Sequence, residues 1–208
     1  MESLKNESLK IAVLASGSGS NLQAIIDEIR SGLLPAELVL VLSDKTQAYA
    51  LQRAEAAGVP TKVLLPADFA TREDYDAEVV RLLKASGAEV VALAGYMRLV
   101  TPVLLQAFPQ RVLNIHPALL PSFPGLHGQR QAFEYGVKVA GCTVHFVDED
   151  MDSGPIILQA PVPVLEDDDA DKLAARILEQ EHIIYPLALR LLAEGKLHIE
   201  GRRVRIAE

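Results

Sequence analysis

The sequence predicts an α/β protein built on a doubly wound, mostly parallel, twisted sheet with helices on both faces. Two observations carry this prediction. In the N-terminal half, short apolar runs alternate with amphipathic segments, a pattern typical of strand–helix–strand units whose right-handed crossovers join parallel strands. In the C-terminal half, two strand-like segments flank an acidic loop, which favours antiparallel additions to the sheet.

Each element of the N-terminal half has its own signal. The continuous apolar run 10–15 predicts a strand buried on both faces, and a helix follows from Asn21 until Ser31 and Gly32 end it. Thr71, with Asp74 three residues later, predicts the start of a helix that runs to residue 83. The remaining predictions for this half are strands at 38–42, 61–65 and 89–94 and a helix at 47–57.

The C-terminal half differs from the N-terminal half in the pattern of its residues. A strand predicted at 111–115 runs into a stretch rich in Pro and Gly, 116–128, and a short helix follows at 129–135. Alternating residues predict strands at 139–147 and 156–164, on either side of the acidic loop 148–154. The last helix is predicted over 170–193, where Pro186 should kink or interrupt it. Residues 202–205 are interpreted as the solvated face of a strand.

The chain is expected to form one domain over residues 1–208. Residues 1–9 are interpreted as a frayed extension, because they are polar and precede the first strand. The sequence shows no internal repeat, and no stretch of linker composition separates its two halves, so 10–108 and 109–208 are predicted to be lobes of one unit.

Composition excludes several classes of protein. The 208 residues carry 20 basic and 28 acidic side chains, a formal net charge of -8, which disfavours nucleic acid as a partner. No apolar run approaches the roughly 20 residues that span a bilayer, and the polar start lacks the apolar core of a signal peptide. A single cysteine, Cys142, points to a reducing compartment. We therefore expect a soluble, cytoplasmic protein without membrane partners.

A glycine-containing turn joins the first strand to the first helix. In Gly17-Ser-Gly-Ser-Asn21 the glycines permit a sharp turn, and free N–H groups at the helix start would attract an anion such as phosphate. The dinucleotide fingerprint would need a third glycine where Leu22 stands, and the P-loop lysine is absent. From these residues alone, a phosphate site and an ordinary tight turn remain equally open.

Polar side chains end a predicted central strand. Asn114 and His116 alternate along it and therefore share a face at its carboxyl end, where open α/β sheets bind ligands. An amide beside an imidazole could polarise a carbonyl and move a proton, although a His before a Pro also occurs as a turn residue. The acidic loop 148–154 is more typical of solvated surface than of a calcium-binding loop. His116, His127 and His145 lack the spacing of zinc ligands, so no metal site is predicted.

Five ordered segments carry a resemblance to a known family. They are IAVLASGSGSNLQAII at 11–26, LAGYMRL at 93–99, NIHPALLPSFPGLH at 114–127, VHFVDEDMDSGPIILQ at 144–159 and QEHIIYP at 180–186. Together they resemble the phosphoribosylglycinamide formyltransferase family, over nearly the whole chain after its first ten residues. Ser18 and Tyr96 depart from the residues common in that family, but neither change removes a charge or a backbone donor.

The resemblance implies a formyltransferase-like variant of the Rossmann fold and a reaction in de novo purine (IMP) biosynthesis. In this reaction 10-formyltetrahydrofolate, acting as the cosubstrate, gives its formyl group to the amine of glycinamide ribonucleotide (5'-phosphoribosylglycinamide). The products are formylglycinamide ribonucleotide and tetrahydrofolate, and no metal is required. The lobe 10–108 would then bind phosphate, and the lobe 109–208 would hold the catalytic and folate sites. The oligomeric state stays open, with a homodimer as one option.

The same resemblance implies roles for individual residues. Asn114, His116 and Asp152 form the implied catalytic set, in which the Asp152 carboxylate should raise the pKa of His116. The implied ribonucleotide-binding residues are Gly19, Ser20, Asn21, Leu178, Glu179, Gln180 and Glu181. The implied folate-binding residues are Arg72, Met97, Arg98, Leu99, Val100, Asn114, Asp148, Glu149, Asp150, Met151 and Asp152.

Other functions were weighed against this one. Formyltetrahydrofolate deformylase shares the Asn-His-Asp set but usually has a regulatory domain before the first strand. Methionyl-tRNA formyltransferase would be expected to add a basic, RNA-facing domain. A non-catalytic nucleotide-binding module gives no reason for the catalytic set, and Leu22 disfavours a nicotinamide dehydrogenase.

Overall fold

The computed structural model describes residues 8–207, and six helices and nine strands lie in this range. Its N-terminal half contains β1 (Leu9–Leu14), α1 (Ser20–Arg30), β2 (Ala36–Ser43), α2 (Tyr49–Ala56), β3 (Thr61–Val63), a short 3-10 turn (Pro66–Asp68), α3 (Arg72–Ala85) and β4 (Val90–Leu93). Its C-terminal half contains α4 (Pro102–Ala107), β5 (Val112–His116), α5 (Gly128–Tyr135), β6 (Val139–Phe146), β7 (Ile156–Pro163), α6 (Ala170–Ala193), β8 (Leu197–Glu200) and β9 (Arg203–Ile206).

All nine strands belong to one sheet, in the order β3-β2-β1-β4-β5-β6-β7-β9-β8. The first five pair in parallel, and β6 joins antiparallel to both β5 and β7. The predicted fold class, with antiparallel additions in the C-terminal half, is therefore confirmed. Because the chain leaves β1 in one direction to β2 and returns on its other side at β4, the gap beyond β1 and β4 is the topological switch point of the sheet.

Two apolar cores cover the two faces of the sheet, as strand alternation requires. On β1, Ile11 and Val13 belong to the core that α1 and α6 cover, whereas Ala12 and Leu14 belong to the core that α3 and α4 cover. All four side chains are fully buried. The continuous apolar run of β1 thus reflects burial on both faces, which explains why it lacks a polar side.

The start of α3 follows its sequence signal closely. The Thr71 hydroxyl accepts a hydrogen bond from the Asp74 N–H at 3.0 Å, which satisfies one of the free donors of the first turn. The Asp74 carboxylate accepts from the same hydroxyl at 2.8 Å. In a capping box a Glu or Gln side chain at this position bonds the backbone N–H of the N-cap residue. The shorter Asp74 side chain bonds the Thr71 hydroxyl instead.

Three elements differ from the sequence predictions. Pro186 does not interrupt α6, which is one helix over Ala170–Ala193, because buried residues on either side of Pro186 hold the segment against the sheet. α4 was not predicted; it is a single short stretch that begins with Pro102 at its first turn. β8 was also missed, and it pairs with β9, the strand face that was predicted near the C-terminus.

The described helices and β1 bear on two expectations from the sequence, those for membrane spans and for the N-terminus. No helix among residues 8–207 is both long and apolar enough to cross a membrane. The expected frayed extension falls mostly on residues 1–7, which lie outside the described residues, while Leu9 already belongs to β1.

One buried hydroxyl connects α6 to the middle of the sheet. Tyr185 is fully buried, and its hydroxyl donates to the carbonyl of Leu93 at 3.0 Å and to that of Leu113 at 3.1 Å. These carbonyls belong to β4 and β5, the two strands that end beside the switch point. The position of α6 over these strand ends therefore depends on a polar contact inside an apolar core.

We expect Tyr185→Phe to lower the free energy of unfolding by about 1–2 kcal/mol, because two buried carbonyls lose a donor while the ring keeps its packing. Denaturation in urea measures this change. Tyr135→Phe is the matched control, since the Tyr135 side chain is 79% exposed and its substitution should change stability by less than about 0.5 kcal/mol. Equal effects of the two substitutions would contradict a structural role for the Tyr185 hydroxyl.

Candidate active site

The structure brings Asn114, His116 and Asp152 together beyond the carboxyl end of β5. Asn114 and His116 alternate along β5 as predicted, and Asp152 arrives from the loop between β6 and β7. The His116 Nδ1 lies 3.4 Å from an Asp152 carboxylate oxygen. A glycine N–H fixes the same oxygen, because Gly125 donates to it at 2.7 Å.

A fourth side chain, His145, completes this cluster and was not among the predicted site residues. The antiparallel register of β5 and β6 places His145 directly opposite Asn114. Its Nε2 lies 3.3 Å from the Asn114 amide nitrogen and 3.7 Å from Asp152. Its Nδ1 donates to the carbonyl of Phe146 at 2.9 Å, since a carbonyl can only accept. The ring is thus fixed by its own strand while its other nitrogen faces the cluster.

His116 is almost enclosed, with 3% of its surface exposed. Its Nε2 donates to the carbonyl of Phe123 at 2.8 Å, so the loop 117–127 covers the ring. Burial lowers the pKa of His116, while Asp152 and the Phe123 carbonyl act in the opposite direction without compensating fully. Asp152 thus raises the pKa of His116, as expected, but desolvation outweighs the carboxylate and the net pKa lies below its ordinary value.

Asp152 carries the negative charge of the cluster. Burial by itself raises the pKa of Asp152, but hydrogen bonds from His145 and the Gly125 N–H, with smaller electrostatic effects of His116 and His145, outweigh burial, and the net pKa lies below its usual value. Asp152 also adopts a positive φ of 50°, which few residues other than glycine tolerate. The carboxylate is therefore ionised at neutral pH and held in place by its contacts.

The predicted glycine turn lies at the switch point, and its shape depends on α2. Gly19 has φ 69°, and a Cβ there would come within 2.6 Å of the Ala50 Cα. The Ala50 N–H donates to the Gly17 carbonyl at 3.1 Å. Ser20 and Asn21 begin α1 without a side-chain cap, so the N–H groups of its first turn have no intrahelical acceptor. Such groups suit an anion.

A cleft of about 400 Å³ connects the glycine turn to the strand end that carries His116. Ile115 and Pro117, the neighbours of His116, line it, as does Met97 after β4. The whole turn from Gly17 to Asn21 and, on α6, Leu178 and Glu181 line its other sides. Glu179 and Gln180, which were predicted with them, are not among the lining residues, because consecutive helical residues point in different directions.

Glu181 is the ionisable group of this cleft, and it is buried. Its carboxylate accepts from the Asn21 amide nitrogen at 2.7 Å, and burial raises its pKa despite this bond. The Asn21 side-chain oxygen is also buried and has no hydrogen-bond partner among the described residues. The bond between Asn21 and Glu181 thus joins α1 to α6 across the cleft, and it leaves the Asn21 side-chain oxygen available to a ligand.

Most residues predicted to bind folate lie on two segments, 97–100 after β4 and 148–152 between β6 and β7, while Arg72 begins α3 and Asn114 belongs to β5. Met97, Leu99 and Met151 expose 50% or more of their surface. Arg72 donates to the Leu99 carbonyl at 3.1 Å, and the Arg98 guanidinium lies 4.6 Å above the Tyr75 ring. Exposed apolar side chains bounded by polar groups are typical of a binding surface for an aromatic ligand.

The acidic loop that carries Asp152 is held at both ends. Ser153 donates to the Asp148 carboxylate at 2.6 Å, and Arg202, in the turn between β8 and β9, donates to the Ser153 carbonyl at 2.6 Å. Val147 at the start of the loop and Val100 of the other segment pack against the same core. Glu149 and Asp150 stay exposed. Among residues 8–207, no cluster of three or more His, Cys, Asp or Glu side chains could hold a metal ion.

The chain is similar to known proteins of one family. A family model described as Formyl transferase matches residues 9–189. Phosphoribosylglycinamide formyltransferase of Escherichia coli is 46% identical over 189 residues, which cover 91% of this chain and 89% of that protein. The crystal structure of glycinamide ribonucleotide transformylase 1 from Symbiobacterium toebii superposes with a TM-score of 0.97 at 56% identity, covering 100% of this chain and 99% of that one.

A longer relative matches as well. The trifunctional purine biosynthetic protein adenosine-3 of Drosophila melanogaster is 51% identical over 188 residues. The matched region covers 89% of this chain but only 14% of that protein. The similarity therefore concerns one part of the longer relative.

We expect Asp152→Asn to lower the pKa of His116 further, because an amide cannot stabilise the imidazolium as the carboxylate does. NMR titration of the His116 ring in both proteins measures the change. Asp150→Asn is the matched control, since it removes the same charge from an exposed position of the same loop. An unchanged pKa in Asp152→Asn, or an equal shift in Asp150→Asn, would contradict a direct effect of Asp152 on the ring.

Proposed function

Because the chain belongs to the formyl transferase family, we propose that it transfers the formyl group of 10-formyltetrahydrofolate to the amine of glycinamide ribonucleotide. The products are formylglycinamide ribonucleotide and tetrahydrofolate, in purine biosynthesis. The observation that carries the proposal is the shared cleft, which the neighbours of His116 line together with the glycine turn. A single ligand in this cleft can therefore place its phosphate at the turn and its reacting amine near His116.

The two substrates occupy different sides of the strand ends. The ribonucleotide phosphate binds the N–H groups at Gly19, Ser20 and Asn21, and Glu181 with the residues 178–180 lies towards its glycinamide end. The folate lies against Met97–Val100, Arg72 and the loop 148–152, where exposed apolar side chains receive its rings. In the sheet β5 lies between β4, which Met97–Val100 follow, and β6, which the loop 148–152 follows, so Asn114 lies beside the folate. Ile115 and Pro117 of the same strand end line the cleft that receives the ribonucleotide.

The side chains suit an acyl transfer in which the substrate amine is the nucleophile. The amine forms a new C–N bond to the formyl carbon, and negative charge develops on the formyl oxygen until the bond to the folate nitrogen breaks. The Asn114 amide donates a hydrogen bond to that oxygen. His116 passes a proton to the departing nitrogen, and the amine gives up one proton in return. Asp152 holds His116 in orientation and favours its charged form.

His116 must exchange one contact before it can act. In the resting arrangement its Nε2–H is bound to the Phe123 carbonyl, and its pKa lies below the ordinary value, so the ring is mainly neutral at pH 7. The positive charge therefore has to develop during the reaction, close to Asp152. A substrate that displaces the Phe123 carbonyl would accept the Nε2–H hydrogen bond in its place. The ring takes up the proton that the amine loses, on the side of Asp152, and so becomes an imidazolium that can pass its Nε2 proton to the folate nitrogen and return to the neutral form.

The chain acts in this proposal as one formyltransferase domain with a phosphate-binding lobe, 10–108, and a catalytic and folate lobe, 109–208. The single sheet that joins them supports this division into lobes of one unit. The partners are the two small molecules, without nucleic acid or membrane, and the proposal applies equally to a monomer and a homodimer. We place the reaction in the cytoplasm, where the free thiol of Cys142 would persist.

A formyl-transfer assay tests the proposal directly. Tetrahydrofolate release is measured with glycinamide ribonucleotide as the acceptor and with water alone, and the formylated ribonucleotide is detected as the second product. We expect release to require the ribonucleotide. Equal release in water alone would overturn the proposal and identify formyltetrahydrofolate deformylase as the function.

We expect His116→Ala to lower kcat by about 10²-fold or more, because it removes the proton donor and a developing charge. Ribonucleotide affinity, measured by calorimetry, should change little, since the phosphate binds at the glycine turn. His198→Ala, an exposed histidine on β8, is the control and should keep full activity. A near-normal kcat in His116→Ala would remove this residue from the mechanism.

We expect Gly19→Val to weaken ribonucleotide binding far more than folate binding, because the new side chain would meet the Ala50 backbone and disturb the turn. Gly32→Val is the matched control, since Gly32 has a similar φ of 79° but open space around it. Calorimetry with each ligand, on variants shown to be folded by circular dichroism, decides the outcome. Unchanged ribonucleotide binding in Gly19→Val would place the phosphate elsewhere.

A further inference from the structure

A single arginine, Arg53 on α2, lies behind the glycine turn and contacts it. Its Nε donates to the Ser18 carbonyl at 2.9 Å, and one terminal nitrogen donates to the Gln23 side chain on α1 at 3.1 Å. The guanidinium also lies 4.9 Å from the centre of the Tyr49 ring. Three different groups therefore fix the orientation of this half-buried side chain.

These bonds determine which way the turn presents its N–H groups. In a trans peptide the C=O and the following N–H point in opposite directions. The Ser18 carbonyl is drawn towards Arg53, and the Gly17 carbonyl is drawn towards the Ala50 N–H at 3.1 Å. The N–H groups that follow these two carbonyls are consequently turned away from α2.

The charge of Arg53 matters because the cleft itself has none to offer a phosphate. Its lining residues include no Lys or Arg among those the structure describes, and their one ionisable side chain is the carboxylate of Glu181. A phosphate monoester carries about 1.5 to 2 negative charges at neutral pH. A cation within reach of the turn would add to the attraction that the N–H groups of α1 exert on it.

Arg53 keeps its charge available. Gln23 lies between Arg53 and Asp27, because the Gln23 oxygen accepts from Arg53 while its nitrogen donates to Asp27 at 2.9 Å. Among residues 8–207, no carboxylate lies within salt-bridge distance of the guanidinium. His182 borders the same side of Ser20, but burial and Arg53 lower its pKa, so it adds no charge at neutral pH.

We propose that Arg53 is the positioning residue of the phosphate site: it holds the Ser18–Gly19 peptide so that its N–H faces the cleft, and it supplies the positive field that the cleft lacks. This role rests on the proposed function, since it assumes that the acceptor carries a phosphate. It does not require Arg53 to touch the substrate. Ser20 lines both the cleft and the depression beside Arg53, so only the turn separates the guanidinium from the phosphate site. Over so short a distance salt screens the positive field only weakly.

The test compares two acceptors, glycinamide ribonucleotide and the same molecule without its phosphate, with wild type, Arg53→Gln and Arg53→Lys. We expect Arg53→Gln to lower kcat/KM for the ribonucleotide about 10- to 100-fold, mainly through KM, as the loss of a charge-assisted contact does. The dephosphorylated acceptor and the KM for folate should change less than about 2-fold. Arg53→Lys keeps the charge and should recover part of the loss.

Inorganic phosphate and ribose 5-phosphate serve as direct probes, with affinities measured by calorimetry. Both should bind Arg53→Gln more weakly than wild type. Arg81→Gln is the control, because Arg81 pairs with Glu78 on an exposed surface and should leave every constant unchanged. Equal losses for both acceptors, or unchanged affinity for the two probes, would overturn the role of Arg53. Failure of wild type to formylate the ribonucleotide would instead overturn the proposed function, while the probes would still decide on Arg53.

Discussion

The Asp152 carboxylate holds together three segments that the sequence keeps far apart. It contacts His116 at the end of β5, His145 within β6 and the Gly125 N–H in the covering loop. Each contact offsets part of the desolvation of the charge, and together they hold Asp152 in a backbone conformation that a lone Asp would avoid. The orientation of both imidazoles and of the loop over them therefore depends on one partly buried charge.

The change from parallel to antiparallel pairing makes this cluster geometrically possible. A sheet of parallel strands alone would bring only carboxyl ends to the ligand side. Because β6 runs against β5, an interior residue of β6, His145, lies opposite Asn114, and the loop after β6 returns towards the strand ends. The parallel half of the sheet forms the glycine turn, and the antiparallel half provides the acid and the second imidazole. The cleft lies beyond the carboxyl ends of β1, β4 and β5, beside the strand where the pairing changes.

Much of this architecture was predictable from the sequence, because it depends on local patterns. Apolar runs identified the strands of the parallel half, and Thr71 with Asp74 identified the start of a helix. The participation of His145 was not predictable from its neighbours, since it depends on strand register. The lowered pKa of His116 and the contact of Arg53 with Ser18 depend on burial and on packing between helices. Pro186 shows the same limit, because tertiary packing outweighed its local preference.

The buried bond between Asn21 and Glu181 has a consequence for how the protein is made. These residues are 160 positions apart, and α6 is the last helix of the described chain. During synthesis the early parallel strands can pair while the ribosome is still adding residues, since each needs only neighbours that have already emerged. The cleft has no such partial form, because one wall is missing until α6 has left the ribosome. Ligand binding thus requires that α6 has packed against α1, and any ribonucleotide present at that moment stabilises only chains in which this contact has formed.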